Sequence, residues 1–179
     1  PTDEGNRNDS NNLHKVFSFY VAAIDKPWHW SFYSCNGFST SEKNPERDYD
    51  GIRPLWRDVL KTHERRPLHM IFGCGDQLYQ DDVFDHCKTL KEWLSNPSSI
   101  EREKANFTVE MKKEVERYYF FHYLSHFTQP VLADAFTSVP HMMLIDDHDI
   151  FDGYGSYPEE LQNCPVFASM GNIAKMFYL

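Results

Sequence analysis

Leu68-His-Met-Ile-Phe-Gly-Cys-Gly-Asp-Gln-Leu-Tyr79 is the stretch from which the architecture is read. Leu68 to Phe72 is a short apolar run of the kind that forms a buried strand. Gly73 and Gly75 permit a tight turn after it, which places Asp76 at the carboxyl end of that strand. Downstream, Lys88 to Leu94 and Glu101 to about Phe127 have helical periodicity. In the longer one Val109, Val115, Tyr118, Tyr119 and Leu124 recur among charges, and Tyr118-Tyr-Phe-Phe121 reads as a face buried against the sheet. Pro140 precedes a further apolar run, His141-Met-Met-Leu-Ile145, which ends in Asp146-Asp-His-Asp149. Upstream, Val16 to Ala23 and His29 to Ser34 are aromatic and β-branched runs around a turn at Asp25-Lys-Pro27, which predicts two strands with Cys35 at the end of the second. Glu42 to Gly51 reads as loop, and Pro54 opens a helix to about His63. Residues 1–13 are polar and Asn-rich and read as a disordered lead-in.

Strands alternating with helices predict an α/β sheet, and in such sheets sites form beyond the carboxyl ends of the strands. Cys35, Asp76 and Asp147-His148 are all expected there, although they are far apart in the chain. Their shared position is the reason to treat three distant motifs as one site.

The chain has 179 residues, 41% of them hydrophobic, enough for one domain with a real core. It opens at Pro1 and closes at Leu179 inside an apolar helical pattern, so it reads as a piece of something longer. A net charge of -9 argues against a footprint for nucleic acid or for an anionic membrane surface. The acids gather at Asp81-Asp82, at Asp146-Asp147 with Asp149, and at Asp152, where a cation would relieve their repulsion. Cys35, Cys74, Cys87 and Cys164 show no CxxC spacing, which excludes a zinc finger. No run approaches the roughly 20 apolar residues of a membrane span, and the start of the chain is no signal peptide. Compartment and membrane association stay open.

Each motif also has a bland reading. Gly75-Asp76 is a common turn pair, Asp146-Asp-His-Asp149 could be a capped helix start, and Cys35 could be a small buried hydrophobe. Three acids around a histidine exceed what capping needs, which favours a metal there. The residue types suit hydrolysis of a phosphate ester: a two-metal site lowers the pKa of water and clamps the phosphoryl oxygens, with one carboxylate bridging the ions. Asp76 is the best bridging candidate, with Tyr79 brought back beside it by a short turn. A cysteine hydrolase with Cys35 as nucleophile and His148 as base is the competing chemistry.

Ser34-Cys-Asn-Gly37, Gly75-Asp-Gln-Leu-Tyr79 and Asp146-Asp-His-Asp149, in that order and spacing, resemble the alkaline phosphatase D-like (PhoD-like) metallophosphoesterases. Trp56-Arg-Asp-Val-Leu60 and Ile150-Phe-Asp-Gly-Tyr-Gly-Ser-Tyr-Pro158 look like the eukaryotic, fungal and oomycete-like branch. The resemblance spans residues 14–179, as the N-terminal portion of such a domain. It implies a sandwich of two β-sheets flanked by helices, a site holding Fe(III) with Ca(II) or another divalent ion, and phosphate monoesters or diesters as substrates. It further implies Cys35 and Tyr79 as iron ligands, Asp76 as the bridge, Asp147 as a metal ligand, and His148 as the group contacting phosphate or protonating the leaving group. The wider superfamily's opening Asp-x-His pair is missing, as this branch leads one to expect. A C-terminal motif with further histidine ligands is absent from these residues, so the isolated chain should bind metal poorly. A catalytically inactive binding module of a larger membrane-associated or signalling protein is the alternative function.

Overall fold

Three apolar runs become strands in the computed structural model, which describes residues 16–38 and 42–179: β1 (Trp30–Tyr33), β2 (Met70–Cys74) and β3 (His141–Leu144). They form one parallel sheet in the order β1-β2-β3, with Trp30 opposite Met70 and Ile71 opposite His141. Parallel neighbours require crossovers, and helices supply them. Helices α1 (Pro45–Tyr49) and α2 (Arg53–Arg65) connect β1 to β2. Then α3 (Val83–His86), α4 (Lys88–Leu94), α5 (Ser99–Lys104), α6 (Val109–Phe127) and α7 (Pro130–Ser138) connect β2 to β3. A 3-10 turn at Asp147–Asp149, α8 (Glu159–Gln162) and α9 (Pro165–Tyr178) follow. The fold is α/β, and no helix among the described residues is long and apolar enough to cross a membrane.

Two clusters make the core. Trp56, Leu68, Ile71, Leu132, Ala135 and Val139 join α2 and α7 to one face of the sheet. A larger cluster around Val83, Leu90, Val115, Phe151, Phe167 and Met170 binds α3, α4, α6 and α9 together. On the other face of the sheet Trp30, Phe32, Met142 and Leu144 are at least half exposed. The described residues therefore form one sheet with an apolar face open.

Several expectations shift. Val16–Ala23 is not a strand: Val16 and Val21 are 88% and 79% exposed, and strand propensity without a neighbour to complete the ladder makes no sheet. The single helix expected from Glu101 to Phe127 is two, because Thr108 turns extended and its hydroxyl accepts from the Met111 N–H at 3.1 Å, capping α6. The Tyr118-Tyr-Phe-Phe121 run joins the helical cluster instead of the sheet: Tyr118 stacks on His86 of α3, Tyr119 is buried with its hydroxyl donating to Ile150 O at 2.8 Å, and Phe120 and Phe121 are half exposed. Helix α1 lies in the segment read as loop, and α7 was not anticipated. Residues 1–13 lie outside the described residues.

A buried polar chain ties α2 and α6 to the loop after β1. The Trp56 indole donates to Asn36 Oδ1 at 2.9 Å, and Asn36 Nδ2 meets His126 Nε2 at 2.9 Å. An indole can only donate, so the amide must turn its oxygen to Trp56 and its NH2 to His126, whose Nε2 is then the bare acceptor. Burial, with His122 adding, pushes His126 from its ordinary 6.5 down to about 4. Above pH 6.5 the ring is neutral in the folded and unfolded chains alike. Below it the unfolded chain binds a proton that the folded chain refuses, so stability falls with pH. Between pH 7 and 4.5 the wild type should lose about 2 kcal/mol more than His126→Gln in paired denaturant titrations; equal losses would contradict this network.

Candidate functional site

Because the strands are parallel, their carboxyl ends open on one side, and the loops after them lie next to each other. The Cys35 N–H donates to Gly75 O at 3.2 Å and the Asn36 N–H to Asp76 O at 2.8 Å, joining the first two loops. The second and third are joined by Asp149, which is fully buried. Its Oδ1 accepts from the Gln77 and Leu78 N–H groups at 2.8 and 3.1 Å, and its Oδ2 from those of Asp76 and Asp146, both at 3.1 Å. Burial pushes the Asp149 carboxyl up, while the N–H groups of Asp146, Leu78 and Gln77 pull it down. Gln77 Nε2 adds a bond to Leu144 O at 2.6 Å.

This stapling holds unusual backbone. Cys35, Asp76 and Tyr79 have φ of 65, 55 and 54°, in the left-handed region that residues with a side chain rarely enter. Gly75 has φ +99°, and a Cβ there would stand 2.5 Å from Asp146 Cβ, so the loops can approach only with glycine in place.

Asp76, Asp147 and His148 are brought together: each offers a donor atom, all within 4.8 Å of one another. The Cys35 thiol donates to Asp76 Oδ2 at 3.2 Å. The Tyr79 ring packs on His148 at 4.9 Å between centroids. Burial, reinforced by Cys35, Asp76 and Asp81, holds the Tyr79 phenol above its usual range. His148 Nδ1 meets Asp81 Oδ2 at 2.9 Å, and Asp147 Oδ2 accepts from the Gly153 N–H at 2.7 Å. Burial lowers His148, but Asp81, Asp147 and Asp76 outweigh it and leave the imidazole above its ordinary value.

The donor set fits a metal. Asp76 Oδ1 is buried with no hydrogen-bond partner, a costly state unless a cation meets it. Among the described residues no Lys or Arg ion pair reaches Asp76, Asp81 or Asp147; Arg53 and Arg57 are held by Asp50. The cysteine-hydrolase arrangement is not formed, since the Cys35 thiol is engaged by Asp76 and not by the His148 ring.

Sequence reasoning missed three contributors. Asp81 was visible only as half of an acidic pair, Asp149 looked like a capping residue, and Asn36 entered only as a member of the Ser34-Cys-Asn-Gly37 motif, with no role of its own. Asp146 does cap the turn, its Oδ1 accepting from the Asp147 N–H at 3.0 Å. His122, a second interior histidine, bonds Leu78 O through Nε2 at 2.7 Å.

Comparison with known proteins agrees with this geometry. The family described as PhoD related phosphatase matches residues 13–179. "Uncharacterized protein YGR266W" of Saccharomyces cerevisiae is 32% identical over 177 residues, covering 91% of this chain and 25% of its own length. The chain thus spans about a quarter of that relative. No solved structure matches it significantly. With three strand-end loops converging on Asp76, Asp147 and His148, and a match over nearly its whole length, the chain belongs to the PhoD related phosphatase family.

Proposed function

We propose that this chain supplies most of the active centre of a metal-dependent phosphate ester hydrolase, acting on monoesters or diesters. The observation that carries the reading is that Asp76, Asp147 and His148 converge, with Asp76 Oδ1 buried and unpartnered. In this reading Asp76 would be shared by two ions, Asp147 would hold one of them, and Cys35 and Tyr79 would be ligands of the more highly charged one. Thiolate, phenolate and carboxylate donors suit ferric iron, with calcium or another divalent ion beside it. The ions, when bound, supply the acidity that activates water and the positive charge that the phosphoryl oxygens need.

The chain's own residues do the rest. Asp81 accepts at His148 Nδ1, which fixes the ring and leaves Nε2 as the nitrogen that can hand a proton to the leaving oxygen. Asp152 Oδ1 stands 3.7 Å from Nε2, close enough to favour the protonated ring. In the proposed two-sheet sandwich the open face of Trp30, Phe32, Met142 and Leu144 is the inner face awaiting the second sheet.

The test is hydrolysis of p-nitrophenyl phosphate and its bis ester by the natural full-length protein. Activity should be abolished by a chelator, restored by metal, and reduced at least about a hundredfold in Asp76→Ala. Full activity in Asp76→Ala would sink the reading, and a metal-free, inactive wild type would put a binding module in its place. A second prediction concerns pH. Asp81 raises His148, so Asp81→Asn should move the alkaline limb of kcat/KM to lower pH and slow turnover about tenfold at pH 8; an unmoved limb would remove His148 as the proton donor.

A further inference from the structure

Beside the candidate centre lies a cavity of about 430 Å³, within the range of small-molecule sites. Tyr33, Phe38, Tyr49, Ile52, Leu55 and Trp56 give it apolar and aromatic walls, and among the described residues no Lys, Arg, His, Asp or Glu lines it. The Tyr33 and Trp56 rings meet edge to face at 5.2 Å, and Phe38 stacks on Tyr49 at 5.7 Å. Trp56 is buried at 4% exposure, while Leu55 is 78% exposed. Cys35 and Asn36 also line the cavity, and the Cys35 thiol bonds directly to Asp76. The apolar space therefore shares Cys35 with the candidate centre and lies one side chain away from Asp76.

A second recess, of about 380 Å³, touches Tyr79 but is bordered by Glu42, Glu46, Asp81 and Asp82. Those carboxylates would repel any leaving group bearing further phosphate or carboxylate. Among the described residues the 430 Å³ cavity has no cation to receive one. An uncharged, apolar leaving group finds no such obstacle there.

We propose that this cavity receives the leaving alcohol, and that the ester cleaved carries an uncharged alkyl or aryl group instead of a nucleotide or sugar phosphate. The inference rests on the phosphoesterase reading and adds the substrate class to it. In the hydrolysis, water attacks phosphorus, the P–O bond to the alcohol breaks, and the departing oxygen takes one proton, so that phosphate and a neutral alcohol leave. Removing apolar surface from water accounts for the selectivity, which should rise with chain length until the cavity is filled.

The test uses ethyl, butyl and hexyl phosphate and their methyl diesters with the natural full-length protein. These alcohols have nearly equal acidity, so leaving-group chemistry stays constant along the series. The ratio kcat/KM should rise about twofold or more per methylene. Leu55→Gln, at the exposed lining position, and Val59→Phe, at another lining position where the larger ring fills the cavity, should flatten that slope. Saturation-transfer NMR with hexanol gives a readout independent of catalysis: the wild type should bind and Val59→Phe should not. Hydrolysis with a flat slope in the wild type would overturn the cavity's role and leave the phosphoesterase reading standing. Hexanol binding lost in Val59→Phe, with no hydrolysis of any ester, would keep the apolar site and overturn the phosphoesterase reading. Neither hydrolysis nor binding would overturn both.

Discussion

The buried carboxylate of Asp149 is the constraint on which the site depends. Four backbone N–H groups, two on each oxygen, come to it from two different loops. A charged acceptor strengthens each such bond, to roughly 1.5–3 kcal/mol, and a carboxylate out of water without partners would be strongly destabilising. The two strand ends therefore cannot separate without stranding a charge. Parallel pairing aligns β2 and β3, and Asp149 turns that alignment into a fixed register between Asp76 and the Asp147-His148 pair.

That rigidity lets the protein keep costly local geometry. Left-handed backbone at Cys35, Asp76 and Tyr79 costs of order 1–3 kcal/mol per residue and persists only where surroundings over-determine it. Of the positive-φ residues other than glycine, the fourth is Asp50, which closes α1. Among the described residues the strain thus falls on three of the four residues that the family resemblance marks as ligands. The Trp56-Asn36-His126 chain performs for the Cys35 loop what Asp149 does for the other two. A further tie, the Gln80 N–H to His148 O at 2.8 Å, joins the second and third loops again.

The α/β class and the strand ends were legible because apolar runs stopped by glycine or acid mark where a parallel strand leaves the sheet, as at Gly75 and Asp146. The two short strands' limits moved by only one or two residues: His29–Ser34 became Trp30–Tyr33, and Leu68–Phe72 became Met70–Cys74. Val16–Ala23 misled because propensity describes a residue's fit to a sheet and says nothing of whether a neighbour is present. The break in the long helix was legible in retrospect, since Ser98 and Thr108 are both N-caps, but the run of helix formers around them outweighed the signal. Asn36 and His126 are 90 positions apart, and nothing local announces their pairing. Asp149 carried the right residue type for two roles, and only the fold shows that it serves backbone from another loop as well as its own turn.

If the stapled loops are what make the centre, the affinity for metal should depend on a residue that touches no ion. Calorimetric titration of manganous ion into the metal-free natural full-length protein and its Asp149→Asn variant, both verified as folded by circular dichroism, tests this most directly. The amide would turn a donor toward backbone N–H groups and loosen the loops, so the account predicts affinity at least tenfold weaker in the variant. Equal affinity in the two proteins, or no binding by the wild type, would contradict it.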